Sequence, residues 1–254
     1  MNKSNLKKII LWGGTGQAMV KNEVEKSFDE TWEKNIYSKG KQVNLYPYDI
    51  LVSIVARNFF SISKEERSKI RVLDLGCGAG NNSKFLSENG FDVYGLDGSK
   101  TAIKICKERF KKWNLKGDFI QGDFLKLPYK NNFFNIVIDR ESLYANKFND
   151  IKNAIEEIHK KLKKKGIFIS FIYSIYHPDR EFGEEIGPNT YNNFRQGSFY
   201  QAGKVHFVDI KEIFDLYSKF KIENIIRHSL NEVYDKPRRF IEFDEFIIIA
   251  RKEI

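Results

Sequence analysis

The segment VLDLGCGAG at residues 72–80 constrains the fold of this chain more than any other. An apolar, strand-like run is followed at once by glycines at 76, 78 and 80, and then by a helical pattern. Glycine enters backbone conformations closed to other residues and lets a ligand touch the chain, so strand, glycine turn and helix in that order form the context of a nucleotide-binding turn. From there the chain alternates. RVLDLG (71–76), FDVYGLD (91–97), DFIQGD (118–123), FNIVIDR (134–140) and GIFISFIYS (166–174) read as strands. Between them lie helical patterns over 82–90, over 101–113 with Ser99 placed as a cap, and over 150–165 with an apolar stripe at Ile151, Ala154, Ile155, Ile158 and Leu162. Such alternation predicts an α/β fold, a parallel sheet covered by helices on both faces. A helix over 208–220 follows, then two runs, 221–230 and 242–252, that can pair as an antiparallel hairpin at the sheet edge.

A three-glycine turn by itself does not identify its ligand, because dinucleotide-binding enzymes share it. The acids around it are more telling. Asp74 sits on the strand before the turn, where a carboxylate suits a cationic amino-acid group better than a pyrophosphate. Asp97 ends the second strand, placing an acid where two ribose hydroxyls can be accepted together. Asp123 ends the third and is followed by Phe124, a carboxylate and a ring suited to an adenine. Ligand sites in open parallel sheets lie beyond such strand ends. Each acid also has a purely structural reading: Asp74 capping a turn, Asp97 capping the helix near Ser99, Asp123 opening the turn before Leu127 and Pro128.

Residues 71 to about 175 resemble the class I S-adenosylmethionine-dependent methyltransferases, on VLDLGCGAG, Asp97 and Asp123. The resemblance implies a Rossmann-like, seven-stranded, mostly parallel sheet with its last strand antiparallel. It implies S-adenosylmethionine as cofactor and S-adenosylhomocysteine as product, with Gly76 and Gly78 near the methionine part, Asp97 near the ribose, Asp123 with Phe124 near the adenine, and Gly80 and Gly98 also among the cofactor-binding residues. It places Asp139 to Ser142 beside the methyl group. Trp32 to Tyr48 resembles the leading helix and loop that close over the cofactor in small-molecule members, making Tyr37 and Tyr46 candidate lid contacts; packing on the sheet is the alternative. KIILWGGTGQA at 8–18 looks like the opening of a sugar-acyltransferase nucleotide-binding domain, but no second strand with an acid follows. It reads as an arm of strand and glycine turn, with a charged helix expected over 20–35. The division is an arm and lid helix over 1–48 and a methyltransferase domain over 49–254, with a glycine- and tyrosine-rich insertion at 174–206.

Methyl transfer needs a base only when the acceptor arrives protonated. His177 and His206 flank the insertion, and an imidazole titrating near pH 6.5 suits that work. Tyr173, Tyr176, Tyr191 and Tyr200 are candidates to shape the pocket, and Arg140, Arg180, Arg195, Arg238 and Arg239 are candidate partners for phosphate or carboxylate. The net charge of +9 agrees with an anionic acceptor, although the run KKLKKK at 160–165 reads as a solvated helix end. Strand four ends in DRES rather than in a base-methylating Asp/Asn-Pro-Pro-aromatic motif, so nucleic acid is disfavoured. Apolar runs fall short of the roughly 20 residues that span a bilayer, and no secretory leader is evident, which points to the cytoplasm. Cys77 and Cys106 lack metal-type spacing, and no metal is expected. The expectation is an O- or N-methyltransferase for a small, phosphorylated or sugar-linked metabolite of the bacterial surface or capsule polysaccharide type. An RNA methyltransferase and a non-catalytic cofactor-binding scaffold are the competing readings.

Overall fold

The structure is a computed structural model that describes residues 8–12, 18–22, 28–233 and 242–253. The arm is a hairpin of β1 (Lys8–Trp12) and β2 (Ala18–Asn22), with Ile10 opposite Val20. This corrects the helix expected from residue 20. Helical spacing of large apolar residues begins only at Phe28, Trp32 and Ile36, and the observed turns are a π-type turn at Trp32–Ile36 and a 3-10 turn at Tyr37–Lys39. The glycines at 13, 14 and 16 lie outside the described residues, as do Arg238 and Arg239.

After α1 (Asp49–Phe59) and the short capped turn α2 (Lys64–Arg67), the chain lays down β3 (Arg71–Leu75), α3 (Asn81–Glu88), β4 (Asp92–Asp97), α4 (Lys100–Lys112), β5 (Asp118–Gln121), β6 (Phe134–Arg140), α5 (Phe148–Lys161) and β7 (Leu162–Tyr173). The insertion carries β8 (Glu184–Gly187), β9 (Thr190–Asn192) and β10 (Val205–His206), and the chain ends with α6 (Ile210–Leu216), β11 (Lys221–Leu230) and β12 (Phe243–Arg251). The main sheet has seven strands in the order β11-β12-β7-β6-β3-β4-β5. Only β12 runs against its neighbours, pairing antiparallel with both β7 and β11. The expected seven-stranded sheet with an antiparallel last strand is therefore present.

Strand side chains alternate between faces, so each strand feeds two cores. Val72, Val93, Ile136 and Ile138 pack against Leu51 and Ile54 of α1, Leu86 of α3 and Ile103 and Phe110 of α4. Leu73, Leu75, Val137 and Phe168 pack on the other face against Ile151, Ile155 and Ile158 of α5 and Ile213 and Leu216 of α6. Both faces are covered, as a mainly parallel sheet requires.

One boundary differs from its expectation. Helix α5 stops at Lys161 rather than 165, because its last carbonyls are taken by the chain entering β6: Asn132 N–H donates to the Lys160 oxygen at 3.0 Å and Phe133 N–H to that of Lys161 at 2.7 Å. Leu162 then pairs with Phe134 as the first residue of β7. KKLKKK is accordingly not a solvated helix end; Lys161 is buried, its ammonium 3.0 Å from Glu157 and 3.1 Å from Asn131. The insertion folds as a small antiparallel sheet in the order β10-β9-β8, with Tyr191, Phe194, Phe199 and Phe207 buried in one aromatic cluster and Phe199 packed on Tyr144 and Tyr173. No helix among the described residues is long and apolar enough to cross a membrane.

Candidate functional site

The site lies where β3, β4 and β6 end. Gly76 and Cys77 both donate to the Leu96 carbonyl, at 2.7 and 3.1 Å, which pins the glycine turn to the end of β4. Gly76 and Gly78 have φ of +68° and +51°, conformations that L side chains rarely adopt. Space excludes a side chain as well. A Cβ on Gly76 would lie 2.2 Å from the Ser142 Cβ, and one on Gly78 would lie 2.6 Å from the Tyr37 hydroxyl.

Asp97 is the acid that faces this turn. Its carboxylate accepts from Gly78 N–H at 2.9 Å and Ser99 N–H at 2.8 Å, so one side chain joins the turn to the start of α4. Burial pushes its pKa up to about 6, against the pull of those two N–H groups. Phe28, Asp29, Trp32, Tyr37, Gly76, Asp97, Gly98, Phe124, Glu141, Ser142, Ala145 and Asn146 line one cavity of about 60 Å³. A carboxylate, bare glycine backbone and an apolar ring in its wall suit a ligand with paired hydroxyls and a flat base.

The other predicted residues are placed differently. Asp74 is buried behind the turn, accepting from the Ser83 hydroxyl at 2.5 Å, and burial pushes its pKa up to about 7. Asp139 holds the turn after β6: it accepts from Ser142 N–H at 3.0 Å, Leu143 N–H at 3.2 Å and the Ser170 hydroxyl at 2.9 Å, and burial pushes its pKa up to about 6. Asp123 accepts from Leu125 N–H at 2.8 Å in its own turn, while the neighbouring Phe124 lines the cavity. Gly80, at φ +85°, packs on Cys106 of α4. Tyr46 is 81% exposed. His177 caps the turn Pro178–Phe182 through Asp179 N–H, is surrounded by Tyr173 and Phe199, and has its pKa pushed down to about 4 by burial. His206 is fully buried between Thr190 and Glu212. Neither histidine lines the cavity. Arg140 is buried beneath the Tyr48 ring, 3.9 Å from its centroid, and ion-paired to Glu141 and Glu245. Arg180 donates to the Tyr191 hydroxyl at 2.9 Å.

Residues 28–48 are fastened over the site by contacts that sequence reasoning missed. The Glu33 carboxylate accepts from Thr101 N–H at 3.2 Å and from the hydroxyls of Ser99 and Thr101, each at 2.5 Å, so a residue of the N-terminal segment serves the first turn of α4. Burial raises its pKa, but those three hydrogen bonds outweigh burial and leave it below the usual range. Arg109 of α4 donates to the carbonyls of Val43 and Asn44 at 3.0 and 2.7 Å, and Asp29 receives Lys204 N–H from the insertion at 3.3 Å. The i, i+4 spacing of Phe28, Trp32 and Ile36 was the available signal for the inward face. Glu141, within the Asp139 to Ser142 stretch expected beside the methyl group, lines the cavity together with Ser142. It sits at φ +54°, a left-handed conformation costing a non-glycine residue on the order of 1 kcal/mol, in the turn held by Asp139.

A family model described as a methyltransferase domain matches residues 66–177. A ubiquinone biosynthesis O-methyltransferase of Pelagibacter ubique is 32% identical over 156 residues, 58% of this chain and 62% of that protein. The chain spans about three fifths of the length of the first curated relatives it matches, 63% and 62%. Among solved structures, a SAM-dependent methyltransferase of Methanosarcina mazei aligns with TM-score 0.64 and 18% identity, covering 83% of this chain and all of the other. The 1,6-didemethyltoxoflavin-N1-methyltransferase of Burkholderia thailandensis, solved with bound 1,6-didemethyltoxoflavin and S-adenosylhomocysteine, aligns with TM-score 0.56 and 14% identity over 96% of this chain and 99% of that one.

Proposed function

We propose that this chain, which belongs to the class I S-adenosylmethionine-dependent methyltransferases, transfers a methyl group from S-adenosylmethionine to an oxygen or nitrogen atom of a small molecule. The observation that carries the reading is the Asp97 carboxylate, tied to both the glycine turn and the start of α4 and facing the cavity. The bound cofactor supplies a methyl group made electrophilic by a positively charged sulfur. The chain's own residues supply the rest. Gly76 and Gly78 present backbone without side chains, Asp97 accepts the ribose hydroxyls, and Phe124 covers the base. Phe28, Trp32 and Tyr37 shut water out of the cavity from the lid side. Ser142 and Asn146 stand at the acceptor end, where holding the acceptor in line with the methyl group is the main contribution an enzyme makes to such a displacement. The Burkholderia neighbour, which holds both a small molecule and the product cofactor, supports a small acceptor. Among the described residues no lysine or arginine lines the cavity, so an anionic phosphorylated or sugar-linked acceptor draws no support from the lining.

Binding of S-adenosylhomocysteine measured by calorimetry tests the reading, and no binding would end it. Two features make the test specific. Because the Asp97 carboxyl titrates at about 6, its ionised fraction rises roughly tenfold between pH 5 and pH 7. Affinity is therefore expected to rise about tenfold over that interval and to level off above it; a flat profile would separate Asp97 from the ligand. The Glu33 fastening predicts a kinetic effect. Glu33→Ala removes three hydrogen bonds that hold the lid shut, and S-adenosylhomocysteine dissociation followed by stopped flow is expected to quicken about tenfold, with little change in the melting temperature. An unchanged off-rate would mean that 28–48 is static packing.

A further inference from the structure

The cavity is linked to solvent by a chain of ionisable groups that the cofactor reading does not use. Glu141 lines the cavity. Its carboxylate and that of Glu245, on β12, converge on one atom of Arg140: Nη1 contacts Glu141 Oε1 directly and lies 3.5 Å from Glu245 Oε2. Glu245 is fully buried, and its Oε2 receives no hydrogen-bond donor, while its Oε1 is 2.9 Å from Nδ1 of His228 on the edge strand β11. The His228 side chain is 31% exposed. Two carboxyl groups facing one guanidinium, Glu245 fully buried and Glu141 half-buried, carry one negative charge too many, and a proton shared between them removes it. Glu245 is the group that keeps it: burial pushes its pKa up to about 9, with Arg140 opposing and Glu141 adding.

Resting on the methyltransferase reading, we propose that Glu141 receives the proton of an acceptor O–H or N–H group, and that Glu245 and His228 carry a proton on to solvent. The acceptor is thus a protic group that is neutral when it attacks, an alcohol, phenol or amine, and not an anion or an aprotic centre. As the acceptor atom's lone pair forms its bond to the methyl carbon, the sulfur–methyl bond breaks with its electron pair left on sulfur. The acceptor's hydrogen leaves as a proton to a Glu141 oxygen. The proton already held by the pair passes from Glu245 to His228, and then to water. Arg140 stays charged throughout, fixed between the Tyr48 and Phe171 rings, and holds the two carboxyl groups together. The other ionisable groups around the chain are Tyr48, Tyr144, Tyr173 on β7, His177 in the turn after β7, Asp244 on β12 and Arg227 on β11; burial pushes the His177 pKa down to about 4 and keeps that ring neutral. Asp244 is already occupied by Arg227 at 2.8 Å, and burial raises the three tyrosines, keeping them protonated.

Two measurements on the S-adenosylhomocysteine complex test this. In the first, the His228 ring is titrated by NMR in the unaltered chain and in Glu141→Gln. If the two carboxyl groups share a proton, neutralising Glu141 leaves Glu245 alone beside Arg140, Glu245 ionises, and His228 titrates at least half a pH unit higher. If Glu141 acts only as a distant negative charge, the midpoint falls or stays put, which would overturn the relay. In the second, phenol, benzylamine, benzoate and phenyl phosphate are compared as ring-matched probes by ligand-observed NMR. Phenol and benzylamine are expected to bind and to weaken at least tenfold in Glu141→Ala, with benzoate and phenyl phosphate binding at least tenfold more weakly. Preferential binding of the anionic probes, no binding by phenol and benzylamine, or indifference to Glu141→Ala would overturn the acceptor class. Failure to bind S-adenosylhomocysteine at all would instead remove the methyltransferase reading beneath it, so the two failures are distinguishable.

Discussion

Asp97→Ala is expected to weaken S-adenosylhomocysteine binding by about 100-fold or more, the largest affinity loss of any single substitution in the site. Hydrogen bonds to an ionised acceptor contribute about 1.5–3 kcal/mol each, and a carboxylate accepting two ribose hydroxyls loses both. A loss of about 3 kcal/mol corresponds to a factor of roughly 150 in Kd. The same substitution frees the N–H groups of Gly78 and Ser99 that the carboxylate now binds, so the turn itself loosens. Asp97→Asn keeps an acceptor oxygen and the side-chain volume, and should retain more of the affinity. Its effect on stability has two parts of opposite sign. The carboxyl's pKa is raised by folding from 3.8 to about 6, so the folded chain holds this proton more tightly than the unfolded one and stability falls as pH rises from about 4 through 6. A neutral amide escapes that cost but has one acceptor oxygen for the two N–H groups of Gly78 and Ser99 and turns its own NH2 toward the other, so at pH 7 Asp97→Asn is expected to melt within a few degrees of the unaltered chain while binding less ligand. Calorimetry and a thermal melt on the same sample measure both. A threefold or smaller loss of affinity in Asp97→Ala would show that the carboxylate is structural.

Gly76→Ala carries the largest expected loss of stability in the site. Placing an L side chain at φ +68° costs about 1–2 kcal/mol. The added Cβ would also stand 2.2 Å from the Ser142 Cβ, an overlap that something must relieve. Ser142 cannot swing away freely, because its hydroxyl donates to the Leu75 carbonyl at 3.0 Å and to Asp139. With overpacking costing about 1–3 kcal/mol, the sum is roughly 3 kcal/mol, or a fall of about 6–12 °C in Tm for a chain of this size. Relief by shifting the 139–143 turn would also move Ser142 and Glu141 in the cavity wall, so ligand binding should fail together with stability. Gly187→Ala is the control: nothing lies within 4 Å of its added Cβ, and it should melt like the unaltered chain. Equal melting of the two variants would show that the turn has more slack than its packing indicates.

The contrast between residues that were legible in the sequence and those that were not is consistent. Strand β6 at 134–140 and the Ser99 cap of α4 matched their expected positions because both are local signals, an apolar run and a capping side chain that accepts from Ala102 N–H at 2.9 Å. The end of α5 was misplaced by four residues because Lys160 and Lys161 lose their carbonyls to Asn132 and Phe133, about 28 residues earlier in the chain. The two histidines attracted attention as the residue type suited to a base, but a sequence does not tell a buried cap such as His177 from a solvated acid–base group. Glu33 and the ion-pairing role of Glu141 were invisible for the complementary reason. Both glutamates are ordinary surface-type residues whose partners, Ser99 and Thr101 for one and Arg140 and Glu245 for the other, are brought to them by the fold.

By itself the sequence determined the alternating α/β order, the glycine turn and the acid at the end of β4, because periodicity, glycine and caps act over a few residues. Only the tertiary structure decided which acids face the cavity and which are sealed behind it, how the lid is fastened to α4, and that Glu141 shares its guanidinium with Glu245. The cause is physical. A buried carboxylate is defined by the donors and charges within a few ångströms of it, and those come from strands and helices that lie tens of residues apart along the chain.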